Sequence, residues 1–390
     1  MAWDTAPSLT QRFAAVRDYL AAMFPTRRRV GRTYRGFSAA LAAVSPWLEE
    51  AVQRQLREAV AGLAGRPLTC EGWRAFAVDG TRIDARRTIA NEADFGTAGK
   101  VGCGPQMLLT TLWDMGSGLP WHWRIDRARG SERDHLRQML DTLPADGLLV
   151  ADAGFTGFDL LSTLQEAGRS FLIRVGSNVT LLRELGKVRR EGRDTVYLWR
   201  ADLRHRQPLK LRLIRVKARG TTVYLVTNVL DPQRLPRLTA GRLYRLRWGV
   251  EVFYRSFKQT LGKRKMHSAS PRMARLELTW SLIGLLLLGL LNVRMLLARG
   301  RDPLEASVAN ALKVMRQAMR RALGRPVKLR TLLTQLGEAI KDQYRRKHAK
   351  RSYRWPHKKR QQPPGAPHIR TATAREVALA KALTDHPAPA

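Results

Sequence analysis

The 390-residue sequence predicts an α/β fold: a mixed sheet with flanking helices, interrupted by a β-rich insertion and bordered by helical N- and C-terminal flanks. Three observations lead there. Short apolar runs alternate with helical periodicity between residues 71 and 175. Two of those runs end on an aspartate. Residues 176–238 then alternate apolar and polar side chains at the period of two that a half-buried strand requires.

The elements follow in chain order. Residues 1–70 are expected to be helical, with two stretches inside 9–65 separated by Arg27, Arg28, Arg29, Val30, Gly31 and Arg32. That basic break suits a small recognition domain or a solvated linker. Ala75 to Asp79 is a short buried strand ending on an acid. Met107 to Trp113 and Trp121 to Ile125 flank the turn Asp114 to Gly118 and read as a hairpin. Ser131, with Asp134 three residues on, opens a helix through Leu140. Leu148 to Asp152 is a second buried strand ending on an acid. Gly154 and Gly157 then break the chain before a helix to about Glu166, and Ser170 to Val175 is one more strand. In the insertion, Val196 to Arg200, Leu209 to Val216 and Thr222 to Val229 alternate like strands.

The order βββαβαβ is the one the ribonuclease-H-like fold uses, with its first and fourth strands adjacent and parallel. Asp79 and Asp152 would then lie side by side. Two neighbouring carboxylates are costly to desolvate together, and a shared cation resolves that cost. Taken singly, an aspartate followed by glycine is more often a turn residue than a ligand.

Leu243 to Leu261 reads as one amphipathic helix. At about 100° per residue, Tyr244, Arg247, Glu251 and Lys258 share one stripe, with Leu246, Val250, Phe253 and Phe257 opposite. Glu251 is the only acid in a segment that also carries Arg245 and Arg255 and directly follows Arg242. Such a face suits a phosphate backbone around a metal. An i,i+4 surface pair between Arg247 and Glu251 is the alternative reading. The catalytic core would thus comprise 71–175 and 239–300, with 176–238 inserted.

The charge points to the same partner. Lys and Arg number 70 against 32 Asp and Glu, a net charge of +38. Residues 71–174 carry 12 basic and 14 acidic side chains, whereas 175–238 carry 15 against 5 and 239–298 carry 11 against 2. Carboxylates grouped to hold cations, flanked by bases to hold phosphates, are what a metal-dependent enzyme on nucleic acid requires.

These motifs together resemble those of bacterial DDE transposases of the insertion sequence 4 family, over about residues 30–300. The family's Tyr, Arg, Glu, Lys signature is matched without a gap by Tyr244, Arg247, Glu251 and Lys258. Asp79 in Val-Asp-Gly-Thr and Asp152 in Ala-Asp-Ala-Gly-Phe-Thr-Gly are similar to its other two acid motifs, and Trp248 follows the arginine as it often does there. The long gap between Asp152 and Glu251 resembles the family's β-structured insertion. The resemblance implies that Asp79, Asp152 and Glu251 are catalytic and bind two Mg²⁺ ions, for which Mn²⁺ substitutes. It implies that Tyr244, Arg247 and Lys258 bind DNA. It further implies cleavage at transposon ends and strand transfer by a homodimer on double-stranded DNA, meaning paired inverted-repeat ends and a target. The alternatives are an inactive or domesticated DNA-binding protein and a nuclease that cuts without joining. No Ser, Tyr or Cys has an evident activating base beside it, so no covalent nucleophile is expected. Trp199, in an alternating run, reads as a packed strand residue.

Other classes are excluded. Cys70 and Cys103 have no metal-ligand spacing and the eight histidines are scattered, so neither a disulfide framework nor a zinc site is expected. The N-terminus lacks the pattern of a secretory signal, and a cytoplasmic, nucleoid-associated protein is expected. The uncharged run Leu278 to Val293 is too short to span a membrane and reads as a core helix. Residues 301–343 are expected to be helical. Residues 344–390 form a basic, Pro-containing tail expected to be disordered.

Overall fold

A computed structural model of the chain describes residues 1–25, 31–65, 68–99, 103–186, 192–218, 221–324, 328–342 and 364–385. Two compact units are distinguished: Met1–Pro144 with Leu246–Lys341, and Ala145–Arg245 with Asp342–Ala390. The boundary therefore falls inside the stretch expected to be one catalytic core.

In the first unit, strands β1 (Arg74–Asp84), β2 (Gln106–Asp114) and β3 (Leu119–Arg127) form an antiparallel meander. Ala75 to Val78 are fully buried, as an apolar run in a central strand should be. The expected hairpin is present. Its turn is closed by the Asp114 carboxylate, which accepts from the Gly116 amide (3.1 Å) and the Ser117 hydroxyl (2.7 Å), with Gly118 at φ +71°. One expectation is corrected. β1 continues past Asp79 to Asp84, because β2 supplies a paired residue at every step down to Asp84 opposite Gln106. Gly80 and Thr81 look like turn residues only while that partner strand is out of view.

A short helix absent from the expected order, α3 (Ile89–Phe95), is capped by Thr88. Helix α4 (Glu132–Met139) begins where expected, with the Ser131 hydroxyl accepting from the Asp134 amide at 3.2 Å.

The N-terminal region is helical as expected, with α1 (Leu9–Met23) and α2 (Tyr34–Ala61) meeting where the Phe13 and Phe37 rings lie 5.1 Å apart. Of the basic break over residues 27–32, residues 27–30 lie outside the described residues. The apolar run belongs to helix α8 (Pro271–Leu297), which at 27 residues is long enough to cross a membrane; the expectation of a segment too short is corrected. Its burial, not its length, marks it as a core helix. It packs on α2, β3, α9 (Val308–Ala322) and α10 (Leu329–Leu336), and Asn292 donates to the Leu336 carbonyl at 2.6 Å.

In the second unit, β4 (Gly147–Ala151), helix α5 (Phe158–Glu166) and β5 (Ser170–Val175) make a parallel βαβ step. The insertion is not a separate module. Strand β9 (Thr221–Thr227) pairs antiparallel with β5, and β8 (Leu209–Ala218), β7 (Thr195–Leu198) and β6 (Thr180–Arg183) continue the same sheet.

The expected disordered tail is corrected as well. Residues 343–363 lie outside the described residues, but β10 (His368–Thr371) pairs in parallel with β6, and helix α11 (Ala374–Asp385) follows it. Glu376 anchors this end, bound by Arg370 at 2.7 Å and by Arg204. Hydrogen bonding from Arg370 pulls the Glu376 carboxyl down to about 2.

Candidate functional site

The expected continuous helix over Leu243 to Leu261 is replaced by three pieces. Helix α6 (Arg237–Leu246) stops, Arg247 and Trp248 form a turn, and α7 (Gly249–Arg255) restarts before a π-helical turn over Ser256–Thr260. The restart has a packing cause. A Cβ on Gly249 would lie 1.9 Å from the Trp113 ring, so the backbone comes closer to β2 than any other residue would allow. In the π turn the Leu261 amide reaches back five residues to the Ser256 carbonyl (2.9 Å), which resets the facing of Lys258.

That sequence of breaks clasps α7 onto the strand carrying Asp79. The buried Tyr254 hydroxyl donates to the Asp79 carbonyl at 2.6 Å, and Lys258 Nζ donates to Thr81 Oγ1 at 2.6 Å. Asp79 and Thr81 are alternate residues of β1 and share a face. Burial, and then the Asp79 charge, push the Tyr254 phenol well above its ordinary range, so it stays a neutral donor. Burial lowers the Lys258 ammonium, which the Asp84 carboxylate partly offsets.

The Asp79 carboxylate accepts from the Gly80 amide at 2.9 Å. Over Gly80 sits Glu132, whose Oε1 lies 2.2 Å from where a Cβ would be. A side chain at this strand position would require the Glu132 carboxyl to move aside.

Arg247 corrects a further expectation. It is 5 % exposed, not part of an open stripe, and its Nη2 lies 3.9 Å from Glu251 Oε1. The i,i+4 pair therefore exists, with one partner buried. Leu246, expected in the core, is 38 % exposed, whereas Val250, Phe253 and Phe257 are buried as expected.

The other two expected residues belong to the second unit. Asp152 directly follows β4, as expected, and caps the single turn Ala153–Phe155 by accepting from the Gly154 amide at 2.8 Å. Phe155 and Phe158 are buried and fix that loop. Tyr244 is half-buried on α6 and faces a small basic pocket. Trp199 is 3 % exposed, donates to the Arg206 carbonyl at 2.7 Å and lies under the Arg204 guanidinium.

Among the described residues, no three His, Cys, Asp or Glu side chains are grouped so as to hold a metal ion. The structure brings Asp79 together with the helix of Glu251 inside one unit and places Asp152 in the other. Each of the three carboxylates is an oxygen donor of the kind a hard divalent cation takes, and a backbone amide holds the side chain of Asp79 and of Asp152. Sequence reasoning missed Tyr254, Thr81 and Glu132. The only sequence signals for them were the two-residue offset of Thr81 from Asp79 and the position of Glu132 just inside a capped helix.

Residues 72–287, more than half of the chain, match the family model described as a transposase DDE domain. The chain belongs to the DDE transposase domain family. Membership implies dependence on a divalent metal ion in general. The protein is 27 % identical over 227 residues to the transposase InsG of insertion sequence element IS4 from Escherichia coli (strain K12), covering 54 % of this chain and 50 % of that protein. This DDE transposase chain thus spans about half the length of that relative. A cryo-EM structure of the piggyBac transposase synaptic complex with hairpin DNA aligns at 15 % identity over 70 % of this chain and 58 % of that one. Its TM-score of 0.39 is too low to bear on the fold.

Proposed function

We propose that the protein is a DNA transposase of the insertion sequence 4 type, which cuts double-stranded DNA at the ends of its element and joins those ends to a target. The observation that carries this reading is the clasp of α7 on β1: Tyr254 and Lys258 hold the segment bearing Glu251 against the strand bearing Asp79.

In this reading Asp79, Asp152 and Glu251 are the carboxylates that hold two Mg²⁺ ions, with Mn²⁺ as a substitute. Bound there, the ions would supply Lewis acidity at the scissile phosphodiester and lower the pKa of the attacking hydroxyl. The chain's own residues do the rest. Tyr254 keeps the Asp79 backbone in place, and Arg247 orients Glu251, in place of the direct DNA contact expected for it. Tyr244 and Lys258 hold backbone phosphates. The same acids serve cleavage, where water attacks, and strand transfer, where a DNA 3′-hydroxyl attacks. Two copies, one on each element end, make the working dimer.

The test uses purified protein, a labelled terminal-repeat duplex and Mg²⁺. Nicking and joining by the wild type, with cleavage lost and binding kept in Asp152→Ala, is the expected result. Absence of nicking by the wild type, or nicking that survives in Asp152→Ala, overturns the transposase reading, and cutting without joining by the wild type replaces it with a nuclease.

A further inference from the structure

Tyr244 lies in a pocket of about 230 Å³ in the second unit, formed where α6 packs across β8. Contact there is close: a Cβ on Gly241 would meet Val216 Cγ1 at 2.8 Å, so helix and strand hold the pocket's shape. Three cations line it, Lys217 from β8 and Arg237 and Arg245 from the two ends of α6, and none of the described lining residues is acidic. All three are exposed, and the first turn of α6 carries no acid.

Three like charges around one concavity repel each other and gather counter-ions. Arg237 and Arg245 are eight residues apart on a helix, about 12 Å along its axis. The positive end of the α6 dipole at Arg237 adds to the attraction for an anion. The spacing of the three cations suits a run of phosphodiester backbone, and Tyr244 lines the same pocket.

We infer that the α6–β8 pocket is a DNA-backbone clamp, in which Lys217, Arg237 and Arg245 join Tyr244 in gripping successive phosphates. This rests on the transposase reading for its ligand. It assigns Tyr244 to a grip within the second unit, with partners from β8 and α6 that the signature motif does not contain.

The experiment measures binding of the full chain to a labelled duplex of arbitrary sequence by fluorescence anisotropy over a salt series. Removal of two phosphate contacts in Lys217→Ala/Arg237→Ala should weaken binding and make the log–log salt slope shallower by about 1.8, at about 0.9 per contact. Leu238→Glu, at a position 76 % exposed, should weaken binding by placing a carboxylate at the pocket mouth without disturbing the fold. Arg294→Ala, an exposed arginine of the first unit, should leave the slope unchanged. Equal losses in Arg294→Ala and the double variant, or no loss in the double variant, overturn the clamp while leaving the transposase reading intact. A wild-type chain that does not bind duplex overturns both.

Discussion

The Tyr254 hydroxyl and the Asp79 carbonyl are joined by a 2.6 Å hydrogen bond that ties α7 to β1. It links the first acid of the candidate site to the helix of the third by a side chain that belongs to neither signature. Tyr254→Phe keeps the ring and removes this one donor to the Asp79 carbonyl. A loss of about 1–2 kcal/mol in denaturant unfolding is expected, together with a fall in cleavage. Unchanged stability would show that the bond does not hold the clasp.

Glu251 and Lys258 sit on the same clasp with different tasks. Glu251→Ala should abolish cleavage and spare binding. Lys258→Ala should weaken the hold on DNA and make it less salt-dependent. Gel-shift and nicking assays on the two variants decide it; identical behaviour would refute the division of labour.

Gly249 is where the backbone presses on Trp113. Gly249→Ala puts a methyl group 1.9 Å from a ring carbon and should cost about 1–3 kcal/mol by overpacking. The combination with Trp113→Leu should recover part of that loss, which a thermal melt of both variants will measure.

Lys263 is 3 % exposed, and burial lowers its ammonium to about 8, from an ordinary value of 10.5. Below pH 8 it is charged folded and unfolded, and the full cost of burying the charge is borne. Between 8 and 10.5 the folded chain releases a proton that the unfolded chain keeps, so stability rises with pH across that window. Lys263→Met should therefore be more stable than the wild type at neutral pH, by up to about 3 kcal/mol at 1.36 kcal/mol per pKa unit. Its advantage should vanish above pH 10.5. Unfolding curves at neutral and alkaline pH supply the check.

Much of this was readable in the chain itself, for reasons of range. Ser170–Val175 was found residue for residue, and the Asp114 to Gly118 turn and the Ser131 cap were found too, because each is set by neighbours in sequence. What escaped depends on partners far away. The extension of β1 beyond Asp79 needs β2, the break at Arg247 needs Trp113 against Gly249, and the burial of Arg247 needs packing that a helical wheel does not contain. The four-residue signature was visible as spacing, yet spacing assumes an unbroken helix, and this one changes register twice.

The parallel pairing of β10 with β6 joins residues 368–371 to residues 180–183. During synthesis the β6 ladder lacks β10 on that side until residues 368–371 have left the ribosome. Loop closure over such a distance is slow, and an unpaired edge is a site of self-association. The covering of β6 thus waits for a strand made much later in synthesis, and a chain stopped short of His368 would be released with that edge open.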